Sequence, residues 1–166
     1  SGLLNAEGRD VVVIGGGDTA MDCVRTAIRQ KANSVTCLYR RDRANMPGSQ
    51  REVANAEEEG VDFRWLSAPQ AFLGDNHVRA VQAQKIHLGQ PDATGRQVPQ
   101  IIEDSSHEIP ADLVIKALGF DPEDIPTMFG APELEVSKWG TIGVDWRTMM
   151  TNLPGVFAAG DIVRGA

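Results

Sequence analysis

Two short stretches of this sequence carry residue types and spacings that could do chemistry. The first is Gly15, Gly16, Gly17, Asp18, Thr19 and Ala20, which fits G-x-G-x-x-A. Gly15 would permit a tight turn. Gly17 would leave no side chain between the backbone and a pyrophosphate, at a backbone position expected to favour glycine. Ala20 would let a helix pack closely on a strand. The free N–H groups and the positive dipole end of that helix would then face the phosphates. The second stretch is Tyr39, Arg40, Arg41, Asp42 and Arg43. An NAD site carries an acid about twenty residues beyond the first glycines, at the end of the second strand, to hold the ribose 2′-hydroxyl. Arg40 stands there instead, with Arg41 and Arg43 beside it. A guanidinium matches a phosphate bidentately, so these residues point to NADP through its 2′-phosphate. The competing reading is a solvated charged loop. The position of the arginines weighs against it, and Asp42 between them weighs for it.

Such a site needs a strand, a turn and a helix in register. Val11, Val12, Val13 and Ile14 form a continuous β-branched run cut by the glycines, as in a strand buried on both faces of a parallel sheet. Beyond the turn, Ala20, Cys23, Val24, Ala27 and Ile28 recur at helical spacing. "SVTCLY" reads as the second strand, which completes a βαβ unit. Ser49 with Glu52 predicts a capping box for a second helix that runs to Gly60, and "VDFRWL" predicts the third strand. "AFLGD", "HVRAVQAQKIHL" and "GRQVPQIIED" then alternate as antiparallel strands, joined by turns at "GDNH" and "GQPDATG". "ADLVIKALGF" returns to a buried strand, and the stretch after it is loop-rich. The expected fold class is α/β: a Rossmann-like dinucleotide-binding domain with a central parallel sheet, in which an antiparallel β-meander replaces one crossover helix.

The remaining candidates favour bland readings. Cys23 and Cys37 lack C-x-x-C spacing and sit in apolar surroundings, as core thiols of a reduced, cytoplasmic protein do. His77, His87 and His107 have no metal-ligand spacing. Trp65, Trp139 and Trp146 are expected to pack rather than to form a stacking surface. No catalytic residue and no metal ligand is expected. The chain has 166 residues, a net charge of −7 and 42% hydrophobic residues. That balance argues against a general nucleic-acid or membrane-surface role. No apolar run is long enough for a transmembrane helix, and no signal pattern opens the chain.

The sequence ends on "NLPGVFAAGDIVRGA", an apolar, buried-type strand at residues 156–159 followed by Gly160 and Asp161. With "VVVIGGGDTAMDCVRTA", "VTCLYRRDRANMPGSQREVANAEEEGV" and "ADLVIKALGF", this ending resembles the small (beta) subunit of bacterial NADPH-dependent glutamate synthase, from about Asn5 to Ala166. The wider set is the two-domain flavoprotein reductases, in which an NADPH domain is inserted between two parts of an FAD domain. The resemblance implies that residues 1–166 are an NADPH-binding domain. Residues 151–166 would be the returning strand and the start of the FAD-domain motif, and the rest of that domain would be absent. It further implies that Gly15, Gly16, Gly17, Asp18, Thr19 and Ala20 form the pyrophosphate turn, and that Asp22 lies near the nicotinamide. Arg40, Arg41 and Arg43 would hold the 2′-phosphate. Ala117, Leu118 and Gly119 would form a second dinucleotide-contacting loop, and Gly160 and Asp161 would meet the flavin's ribityl chain. FAD and iron–sulfur clusters would belong to the parent protein. Electrons would pass through them from NADPH to the large (alpha) subunit, where glutamine and 2-oxoglutarate give glutamate. The fragment alone is expected to be inactive. Two other readings stay open: an NADPH-binding sensing or assembly module without electron transfer, and the reductase domain of a related flavoenzyme with another acceptor.

Overall fold

The β-branched run becomes β1 (Asp10–Ile14) in the computed structural model, which describes residues 5–91, 97–119 and 121–165. The helical stripe becomes α1 (Asp18–Arg29), and "SVTCL" becomes β2 (Ser34–Leu38). α2 (Gln50–Glu58) and β3 (Asp62–Arg64) follow. β8 (Leu113–Lys116) enters on the other side of β1, giving a sheet of order β3-β2-β1-β8. Every pairing in it is parallel, with Val11 opposite Val35 on one side and Leu113 on the other.

Between β3 and β8 lies the antiparallel part. β4 (Ser67–Leu73) and β6 (Gln97–Ile101) flank β5 (Ala80–Pro91), and β7 (His107–Pro110) also pairs with β5. β7 adds a strand to the expected meander. The second expected turn lies largely at residues 92–96, outside the described residues, as do Ser1, Gly2, Phe120 and Ala166.

Alternation along β1 explains the layers. Val11 and Val13 face α1 and α2, joining Ala20, Val24, Val53 and Ala56 in one buried cluster. Val12 and Ile14 face the meander, joining Leu38, Val81, Ala83 and Ile109 in a second. With helices on one face and strands on the other, β1 is apolar on both, which is why it reads as a continuous run rather than an alternating one.

One local expectation is corrected. Ser49 is the N-cap of α2, but its side chain makes no capping hydrogen bond. The Ser49 N–H that a capping-box Glu would take is donated instead to Asp18 Oδ1, at 3.1 Å. Glu52 turns to Arg25 on α1, where the charge-assisted bond is the stronger one. Arg25 also donates through Nε and Nη2 to Glu59 Oε1, at 3.0 and 2.7 Å, so a single guanidinium clamps the two helices.

The bond from Arg25 holds the Glu59 carboxyl below its ordinary value of 4.5. A depressed carboxylate pKa stabilises the fold above the unfolded value, and the contribution is lost as pH falls through the folded value. The urea midpoint of the wild type should therefore fall as pH drops below about 4.5. Glu59→Gln should remove part of that slope, read as the difference between midpoints at pH 6 and below pH 4. An unchanged slope would take Glu59 out of the acid response.

Packing divides the chain into residues 1–118 and residues 119–166. The second unit is loop-rich. It holds α3 (Ile125–Met128), capped by Asp124, and α4 (Asp161–Arg164), with bridges Val136–Ile142 and Met150–Phe157. The buried strand expected at residues 156–159 is reduced to the second bridge. Val156 is 42% and Phe157 61% exposed, since no further strand pairs with this segment among the described residues. Asp161, expected to follow a strand, opens α4. The packing role expected for the tryptophans holds for Trp65, against the helix-side cluster, but not for Trp139 and Trp146, which are 72% and 65% exposed.

Candidate functional site

The glycine turn sits at the carboxyl end of β1, and each of its glycines answers a different constraint. Gly15 has φ +145, and a Cβ there would lie 2.2 Å from the carbonyl oxygen of Ala117. Only glycine lets the end of β8 come so close, and the contact brings Ala117 from the expected second loop against the turn. A Cβ on Gly16 would lie 2.4 Å from Cε2 of the Tyr39 ring. Gly17 differs from both. It has φ −88 and ψ 179, an extended conformation open to any residue. Among the described residues, no atom beyond its two chain neighbours lies within 4 Å of where its Cβ would be. The expectation that Gly17 occupies a backbone position that favours glycine is corrected; what distinguishes it is open space. Nothing among the described residues requires glycine there, so the small residue suits a ligand that must come close.

The Gly17 carbonyl accepts from the N–H groups of Ala20 and Met21, at 3.0 and 3.2 Å. The N–H groups of Asp18 and Thr19 precede these first helical bonds and have no partner among the described residues. Ala20 is fully buried against the sheet. The Asp18 carboxylate, placed in the pyrophosphate turn by the sequence, accepts from Ser49 and ties the start of α1 to that of α2. Gly48 N–H donates to Gly16 O at 2.9 Å and supports the turn from the same side. Asp22 is exposed one helical turn on. With Thr19 and Cys23 it lines a mostly apolar cavity of about 320 Å³ between α1 and Leu113 and Ile115 of β8.

The three arginines have different surroundings. Arg43 is bound through Nη1 by both carboxylate oxygens of Glu57, at 2.8 and 2.7 Å, so its charge is already answered within the protein. Arg41 donates from Nη2 to the Gln97 carbonyl at 3.3 Å, and its Nε is buried with no partner among the described residues. Arg40 is exposed and has no hydrogen bond or ion pair among them. Asp42 Oδ1 accepts from the backbone N–H and Nδ2 of Asn45, at 2.9 and 2.8 Å. The acid that weighed against an anion site is thus folded into its own turn. Asn45, Gly48 and Gln97 escaped sequence reasoning, as did the contact of Tyr39 with the turn. The signal was available in one case: an aromatic residue directly after the second strand, opposite a glycine at the free x of G-x-G.

The cysteines offer no reactive thiol. Burial raises Cys37 to about 12, and its Sγ lies 3.5 Å from Gly15 O, beneath the turn. Cys23 is raised by burial first and by Asp22 second. Among the described residues no group of His, Cys, Asp and Glu could hold a metal ion, and no helix is long and apolar enough to cross a membrane. In the second unit, Gly119 has φ +82. Gly160, with φ 83 and ψ −152, is the N-cap of α4. The Asp161 carboxylate is exposed and has no hydrogen bond or ion pair among the described residues.

Residues 2–166 match a family described as pyridine nucleotide-disulphide oxidoreductase. The chain is 70% identical, over all of its length, to the glutamate synthase [NADPH] small chain of Azospirillum brasilense, and covers 34% of that relative. It is 47% identical to the protein of the same name from Halomonas elongata, with 98% of this chain and 35% of that one aligned. The chain therefore spans about a third of the length of these curated relatives. Among solved structures it is similar to the thioredoxin reductase of Lactococcus lactis, at 25% identity and a TM-score of 0.73, over 96% of this chain and 46% of that one.

Proposed function

The chain belongs to the pyridine nucleotide-disulphide oxidoreductase family, and from that premise we propose that its first unit holds NADPH for a flavoprotein reductase. The observation that carries this reading is the open space over Gly17, beside N–H groups at the start of α1 that have no partner among the described residues. A dinucleotide pyrophosphate fits there. Its anionic oxygens would accept from the N–H groups of Asp18 and Thr19 and gain from the helix dipole. Arg40 and Arg41 would take the 2′-phosphate through their guanidinium groups. Ala117 closes the far side of the turn, with Asp22 on the nicotinamide side.

Bound NADPH supplies the hydride; the chain positions the nucleotide and neutralises its charge, with no acid or base of its own in the transfer. In the second unit, the Gly160–Asp161 turn would meet the ribityl chain of FAD, and the carboxylate of Asp161 is available as an acceptor of hydroxyl hydrogen bonds. Iron–sulfur clusters do not fit the cysteines present, because Cys37 is fully buried and Cys23 belongs to α1. Any clusters would be held elsewhere in the protein.

The whole protein is proposed to work in the cytoplasm beside a large subunit that makes glutamate from glutamine and 2-oxoglutarate. The 70% identity to a glutamate synthase small chain supports this assignment. Two measurements test it. Titration of the chain with NADPH and NADH should show saturable binding that favours NADPH; binding of neither would end the nucleotide reading. The full-length protein mixed with its large subunit should form glutamate at the expense of NADPH. Electron delivery to a different acceptor alone would keep the reductase and remove glutamate synthesis.

A further inference from the structure

We propose that Tyr39 is a positioning residue that sets NADPH-over-NADH preference by locking the arginine loop to the glycine turn. The proposal rests on the NADPH reading above. Tyr39 touches both halves of the site. Its ring lies on the backbone of Gly16, with Cε2 2.4 Å and Cδ2 2.6 Å from where a Cβ would be. Its Oη donates to the Asn45 carbonyl at 3.0 Å. Asn45 is held in turn by Asp42, so residues 40–45 close into one loop whose base is the Tyr39 phenol.

The ring itself has little freedom. The Tyr39 N–H donates to Arg64 O and its carbonyl accepts from Ser67 N–H, both at 3.1 Å. Its ring meets Trp65 edge-on, with centroids 6.4 Å apart, and Trp65 stacks on Phe63 at 4.8 Å. A side chain fixed at its base, flank and tip transmits position. The turn that faces the pyrophosphate and the loop that faces the 2′-phosphate are therefore held at a set separation, which a ligand carrying both groups can exploit.

The hydroxyl and the ring are separable. Tyr39→Phe keeps the ring on Gly16 and removes the bond to the exposed Asn45. The loop would then have to be ordered by the ligand, and only NADPH draws on it. NADPH affinity should fall about three- to tenfold, the scale of one hydrogen bond, while NADH affinity stays unchanged. In an Arg40→Ala background the same substitution should cost NADPH little more, because the loop acts on the ligand through Arg40 while Arg41 is held separately by the Gln97 carbonyl. Calorimetric titration of the four proteins with both nucleotides, with melting temperatures as a fold check, reads this directly. Equal weakening toward NADPH and NADH, no weakening of either, or additive losses in the double variant would each overturn the proposal. Failure of the wild type to bind either nucleotide would overturn it together with the NADPH reading.

Discussion

Gly17→Val should abolish NADPH binding in a protein that stays folded. The fold tolerates the change because Gly17 is extended and, beyond its chain neighbours, no described residue lies within 4 Å of its Cβ position. A β-branched side chain is at home in that conformation. Exchanging glycine for an apolar residue at an N-cap costs on the order of 1 kcal/mol, so the melting temperature should move only a few degrees. The ligand has no such freedom. The valine methyl groups would occupy the path of the pyrophosphate and separate it from the N–H groups of Asp18 and Thr19. Losing two charge-assisted hydrogen bonds, at about 1.5–3 kcal/mol each, corresponds to a hundredfold or greater fall in affinity. Gly15→Ala is the contrasting control. Its Cβ would meet the Ala117 carbonyl at 2.2 Å, at φ +145, so it should lower the melting temperature first. Normal NADPH binding by a folded Gly17→Val protein would remove the turn from the site.

Arg40→Ala and Arg41→Ala should each cut NADPH affinity about ten- to a hundredfold and leave NADH affinity nearly unchanged, the value of a charge-assisted bond to a phosphate. The wild-type preference should weaken with added salt, most steeply if the exposed Arg40 carries it. Arg43→Ala should have a much smaller effect, since Glu57 already binds that guanidinium with both oxygens. Parallel titrations of the three variants check the ranking. A loss for Arg43→Ala as large as that for Arg40→Ala would overturn the division of roles drawn here.

Much of the first unit was legible because its periods are strong. The unbroken β-branched run of β1 and the helical stripe of α1 each reflect burial on fixed faces. The glycine turn could be placed because strand, glycines and helix stood in sequence. What escaped was set by contacts distant in the chain. Glu57 neutralises Arg43 from 14 residues away, and the tie between Ser49 and Asp18 spans 31. No local pattern marks either, so Arg43 read as equivalent to Arg40, and Ser49 with Glu52 read as a capping box. β7 is four residues long with one buried side chain, Ile109, too short for a period to show. Residues 156–159 have the composition of a buried strand, but composition cannot supply the neighbours that would bury it.

The place of β1 has a consequence for how the chain folds. Its pairing with β2 is nearly local, whereas its pairing with β8 comes after the whole meander; the bond from Asp10 N–H to the Asp112 carboxylate spans 102 residues. Closing a loop of that length costs entropy before any contact repays it. The β1–α1–β2 segment, with α2 and β3, can collapse early, while β8 must wait. Ala117 arrives only with β8, so the wall against Gly15 is completed by the slowest step. Refolding followed by pulsed hydrogen exchange should show the amides of β2, which pairs with β1 and β3, protected before those of β8. Nucleotide binding should be recovered on the timescale of β8.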